Sequence, residues 1–151
     1  MVTRKRVFVL LVTFTAVLLS SCVSGPNQRR FTELHACARD GKAQEAKRLI
    51  EAGADVNARD EKGMTPLHFT AVTGDVVMAE LFIRNGAEVD PMDDSGNTAL
   101  HLATVNGYTG IMELLLGNGT DPAIRNGEEK TALDIAREQG FQDGISLLSN
   151  R

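Results

Sequence analysis

Thr32, Thr65, Thr98 and Thr131 stand 33 residues apart, and this fixed period limits the fold more than any other feature of the chain. Leu34, Leu67, Leu100 and Leu133 keep the same step, as do Gly41, Gly74, Gly107 and Gly140. The three histidines, His35, His68 and His101, share it. A second glycine column, Gly53, Gly86 and Gly119, follows the aliphatic pairs Leu49-Ile50, Phe82-Ile83 and Leu115-Leu116. Four copies fill the chain from about 31 to 151, at 31–59, 60–92, 93–125 and 126–151. A period in this range marks an array of stacked supersecondary units.

Each copy reads as a helix-turn-helix. A threonine N-cap, followed in the second copy by Pro66 at the first helical position, opens a short helix that runs to the first glycine column. A second helix, with apolar Val77, Leu81 and Phe82 at helical spacing, ends at Asn85-Gly86, where a left-handed residue costs little. A turn-rich stretch such as ARDEKG leads into the next copy. Helices this short are marginal in water and cannot bury their apolar faces alone. The copies must therefore stack into an all-α solenoid with one continuous core, joined by hairpin-like loops.

The run from Asp60 to Asp90, DEKGMTPLHFTAVTGDVVMAELFIRNGAEVD, resembles an ankyrin repeat nearly position for position, and the likeness extends over about four-fifths of the chain. Departures fall at the ends, as expected of capping units. Arg30 and Glu129 replace the turn glycine found at Gly63, Asp134 replaces the histidine, and the last copy lacks the trailing GAD. The resemblance implies that His35, His68 and His101 bond backbone groups within and between neighbouring repeats. A shared metal site is not expected, since stacked helices lie ~8–10 Å apart and zinc needs its ligands at ~2 Å.

The resemblance also implies protein binding, through the hairpin tips and the exposed side of the first helices. The matching positions are Glu61, Lys62, Met64, Val72 and Thr73 in the second copy, and Asp94, Ser95, Asn97, Val105 and Asn106 in the third. They lie outside the repeat-defining columns, so the fold does not dictate them. Met64 and Val72 are apolar where a solvated face is normally polar. Tyr108, the one tyrosine, is placed nearby as an aromatic anchor. The second-helix face stands as the other surface a partner would use.

The first 22 residues, MVTRKRVFVLLVTFTAVLLSSC, differ from the rest. A basic start at Arg4, Lys5 and Arg6, an apolar run and small residues before a cysteine have the layout of a secretory signal, too short for a full membrane span. Leu19-Ser20-Ser21-Cys22 resembles the lipobox of bacterial lipoproteins, which implies cleavage of 1–21 and acylation of Cys22; ordinary cleavage, with a free Cys22 thiol, is the alternative. Cys37 then has no disulfide partner and, in the column of Ala103 and Ala136, reads as a small core residue. Residues 22–30 form a tether whose eight residues after Cys22 reach at most ~28 Å. Val23 lacks the aspartate of inner-membrane retention in enterobacterial sorting, so the periplasmic face of the outer membrane is the expected location.

Cleavage leaves 13 basic against 20 acidic residues, an acidic chain with no basic stripe, which argues against nucleic-acid binding. The carboxylates of DEKG, MDDSG and RNGEEK fall in the connecting loops and read as solvated turn residues rather than an acid/base pair. The chain has no nucleophile elbow and no phosphate loop. The expectation is therefore a monomeric, non-enzymatic module with no cofactor, metal or small-molecule substrate. Two roles fit: a lipid-anchored protein-interaction module of the bacterial cell envelope, or a periplasmic immunity or inhibitor protein that blocks a toxin or enzyme.

Overall fold

The computed structural model describes residues 32–150. The expected leader 1–21, Cys22, the tether 22–30, Arg30, Phe31 and Arg151 lie outside the described residues. Eight helices follow in pairs: α1 (Glu33–Asp40) and α2 (Ala43–Glu51), α3 (Pro66–Thr73) and α4 (Val76–Arg84), α5 (Ala99–Val105) and α6 (Thr109–Gly117), α7 (Ala132–Gln139) and α8 (Gln142–Ser149). The described residues contain no β-strand, so the all-α solenoid expected from the period is the fold observed.

Each first helix packs on the first helix of the next repeat, each second helix on the next second helix, and each pair on itself. The column of leucines makes this possible. Leu34, Leu67 and Leu100 are each 1% exposed, and each stabilises the stack by about 1.5–3 kcal/mol relative to exposure. Beside them the buried Cys37, Ala38, Ala71, Ala103 and Ala136 are small, which lets the first helices approach closely. Thr70 and Thr104 are also fully buried, and their hydroxyls donate to the Leu67 and Leu100 carbonyls at 2.7 and 2.8 Å. Turning back on the helix in this way satisfies a polar group without a core partner. The second-helix layer is filled by larger groups: Met78, Phe82, Ile111, Met112 and Leu115 are all fully buried.

The connecting loops are hairpins with a shared anchor. The Asp60 amide donates to the Met64 carbonyl at 2.9 Å, and Asp60 Oδ1 accepts from the amides of Lys62 at 2.9 Å and Met64 at 2.8 Å. Asp93 repeats this with Ser95 and Asn97, and Asn126 with Glu128 and Lys130. The reading of loop acids as solvated thus needs correction at two positions. Asp60 is 6% exposed and Asp93 half-buried, because each carboxylate is the acceptor that closes its loop. Adjacent hairpins are bonded in turn, the Asp94 amide to the Lys62 carbonyl and the Gly127 amide to the Ser95 carbonyl, both at 2.9 Å.

The tip of each hairpin requires a left-handed residue. Gly63 and Gly96 meet it at φ 74° and 78°, and a Cβ on Gly96 would lie 2.5 Å from the Gly127 amide nitrogen. In the last hairpin Glu129 occupies this position at φ 60°, the one non-glycine among the described residues with positive φ.

Candidate protein-docking groove

The hairpins project beside the C-terminal halves of the first helices, and between the third and fourth repeats this leaves an open groove of about 700 Å³. Val105 on α5 and Ile135 on α7 supply its apolar floor. The hairpin residues Asp94, Ser95 and Asn97 form one wall, and Asn126, Glu128 and Lys130 the next. Glu138 and Gln139, at the end of α7, close the far side.

Four of the residues expected at a partner surface, Asp94, Ser95, Asn97 and Val105, line this groove. Glu61, Lys62, Met64, Val72, Thr73, Asn106 and Tyr108 do not. Glu61 and Lys62 are exposed on the preceding hairpin, where the Lys62 carbonyl accepts the Asp94 amide. Val72 and Thr73 are exposed at the end of α3, one repeat before Val105 at the end of α5 and its C-cap Asn106. Met64 and Asn97 are half-buried, and their carbonyls already accept the hairpin amides of Asp60 and Asp93 and face the histidine Nε2 atoms, so only parts of these residues face outward.

Tyr108 is held in place. A Cβ on Gly74 would lie 2.8 Å from the Tyr108 ring, so the ring lies directly against the glycine that ends α3 and covers the seam between two repeats. It remains 37% exposed. The side chain is both an outward aromatic surface and a packing element, a role the expectation of an anchor alone did not include.

The fourth-repeat wall was not among the expected surface residues. Its members follow from the period itself: Glu128, Lys130 and Glu138 stand 33 residues after Ser95, Asn97 and Val105. Lys130 Nζ lies 2.8 Å from Glu138 and 3.1 Å from Glu128, and hydrogen bonds to these two carboxylates raise its pKa. The groove's basic group is thereby tied to its own acids, leaving a net negative lining.

The histidines lie behind this surface. The Thr65 amide donates to His68 Nδ1 at 3.0 Å, the Thr65 hydroxyl lies 2.9 Å from the same nitrogen, and Nε2 lies 3.2 Å from the Asn97 carbonyl. His35 and His101 repeat the pattern toward the Met64 and Lys130 carbonyls at 3.0 and 3.1 Å. Accepting at Nδ1 and donating at Nε2 requires the neutral ring. Burial, the largest effect, lowers the pKa of all three histidines and outweighs the carbonyl bonds that favour the charged form. Asp134 keeps the local half of this device: the Thr131 amide donates to Asp134 Oδ2 at 3.1 Å, and this bond is the main cause of its lowered pKa.

Among the described residues no three His, Cys, Asp or Glu side chains group so as to hold a metal ion. Nor is any helix there long and apolar enough to cross a membrane. A family model of ankyrin repeats, in three copies, matches residues 34–126. No curated protein shows a significant match. The matched span stops where the sequence departs from the pattern at Glu129 and Asp134, although α7 and α8 continue the same stacking.

Proposed function

The chain belongs to the ankyrin-repeat family, and from that premise we propose that it is a lipid-anchored protein-interaction module of the bacterial cell envelope. The observation that carries this reading is the surface along the hairpin tips and first-helix ends, where Val72 and Val105 are 42% and 48% exposed and Val105 lines a formed groove. Exposed apolar side chains set along one surface beside polar hairpin tips suit the contact area of a protein partner.

The anchor rests on the sequence. Cleavage before Cys22 and acylation of its thiol and amine attach the mature chain to the membrane, and the short tether holds the repeats close to the bilayer. Two or more acyl chains, at ~0.8 kcal/mol per buried methylene, make that attachment firm. The acidic repeats have no attraction of their own for anionic lipid. Placement at the periplasmic face of the outer membrane is part of the same proposal.

Photo-cross-linking in intact cells, followed by mass spectrometry, tests the binding role. Protein adducts formed from the hairpin and first-helix positions support it; a chain that yields none from any of these positions, while remaining folded and anchored, overturns it.

A further inference from the structure

We propose that the groove between the third and fourth repeats docks an extended, cationic peptide segment of the partner. The inference deepens the protein-binding reading and rests on it.

Two features, one local and one of the wider charge distribution, select this occupant. The first is the shape and chemistry of the groove. Val105 and Ile135 provide an apolar floor, and Asp94, Glu128 and Glu138 provide carboxylates at its edge. Lys130 is the single basic side chain lining it among the described residues, and it is engaged by two of those three acids. An apolar floor with a carboxylate rim suits lysine and arginine, whose aliphatic stems cover apolar surface while their charged heads reach outward.

The second feature is the charge of the solenoid as a whole. Residues 85–150 hold three basic side chains, Arg125, Lys130 and Arg137, against eleven acidic ones; residues 32–84 hold seven against nine. The negative field is therefore concentrated on the half of the molecule that contains the groove. Such a field speeds the approach of a cationic partner and orients it toward that half. It repels phosphate backbones and anionic membrane surfaces, which leaves a basic polypeptide as the fitting macromolecule. The groove is open to solvent, so a segment in extended form reaches its floor from the side.

The test uses the purified full chain and a fluorescein-labelled nonapeptide of three Lys-Leu-Lys units, with a Glu-Leu-Glu counterpart and spermine as controls. Fluorescence anisotropy at low salt is expected to show saturable binding of the lysine peptide and none of the acidic one. Glu128→Gln with Glu138→Gln, both exposed, is expected to weaken binding by about tenfold and flatten its salt dependence while the melting curve stays in place. Equal binding by this folded double variant, equal binding of the acidic peptide, or displacement by equimolar spermine overturns the assignment. In cells, a photo-reactive residue at Val105 should cross-link to a partner stretch rich in lysine or arginine. Cross-linking to a neutral or acidic stretch sinks the cationic assignment and leaves the interaction module standing. No protein adduct at any surface position removes both.

Discussion

The Nε2 atom of His68 reaches the carbonyl oxygen of Asn97, 29 residues later in the chain, at 3.2 Å. The same ring accepts the amide of its own N-cap, Thr65, at 3.0 Å, so one side chain fixes the start of α3 and the exit of the following hairpin. His68 is fully buried, and removing the ring leaves the Thr65 amide without its acceptor and takes one of two hydrogen bonds from the Asn97 carbonyl, which keeps the Asp93 amide. His68→Ala is expected to cost about 1–3 kcal/mol. Chemical denaturation measures it, and an unchanged midpoint would contradict the tie between repeats.

The same burial sets a pH dependence. The folded-state pKa of all three histidines lies below the ordinary 6.5. The unfolded chain therefore binds more protons than the folded one as pH falls below that value, and stability must decline with it. The contribution is intact above about 6.5 and is lost progressively toward the lower folded pKa values. The melting temperature is expected to drop between about pH 7 and pH 5, by less in His68→Ala than in the unaltered chain. A flat profile over this range in the unaltered chain would count against neutral, buried rings.

Asp90 interrupts a bond that the preceding repeat makes completely. Asn57 donates from Nδ2 to the Gly86 carbonyl at 3.0 Å and accepts the Glu88 amide at 2.9 Å. One repeat on, Asp90 Oδ2 accepts the Asp121 amide at 3.3 Å, but its buried Oδ1 has no hydrogen-bond partner. A carboxylate cannot donate where the amide did. Asp90→Asn restores a donor toward Gly119, the counterpart of Gly86, and is expected to stabilise by about 1 kcal/mol. A loss of stability in thermal unfolding would show that Asp90 serves some other contact.

Glu129 bears backbone strain at the last hairpin tip. A left-handed conformation costs a side-chain-bearing residue about 1–2 kcal/mol, and glycine gives back part of this through the entropy it loses on folding. Glu129→Gly is expected to gain about 0.5–1 kcal/mol, read from the denaturation midpoint, with the helical spectrum unchanged. Glu129→Val, at the same φ of 60°, should be worse than the native residue.

The 33-residue columns made the helix pairs, their order and the buried leucines legible, because a residue that must fill the same space in every repeat recurs in every repeat. The capping role of Thr65 is equally visible, and that His68 bonds backbone groups within and between repeats follows from the ankyrin resemblance. Asp60 and Asp93 were misread because turn residues are ordinarily solvated, and nothing local distinguishes an acid that accepts two amides of its own loop. Tyr108 on Gly74 was hidden for a different reason: the contact joins unlike positions of adjacent repeats, and its counterpart positions hold Lys42, Asp75 and Phe141. The fourth-repeat wall lay within reach of the period at Glu128 and Lys130, but the departures at Glu129 and Asp134 made that repeat resemble a cap rather than a binding surface.

Val72 and Val105 occupy the same helical position one repeat apart, both exposed, and neither belongs to the core cluster. Their apolar surface contributes little to the isolated fold, so Val72→Ser combined with Val105→Thr is expected to change stability by no more than about 0.5 kcal/mol. A partner covering both positions loses contact area where it matters most, and its capture should fall sharply. Tyr108 belongs in a separate variant. Its ring packs against Gly74, so Tyr108→Ser should lower the melting temperature as well as capture, and a combined variant would confuse lost packing with lost contact. The informative comparison is partner cross-linking by the folded valine double variant beside that of the unaltered chain in the same envelope preparation. Reduced adducts with an unchanged melting curve place the partner over the first-helix ends. Undiminished adducts move it to the face formed by the second helices, where Val77 is 69% exposed on α4.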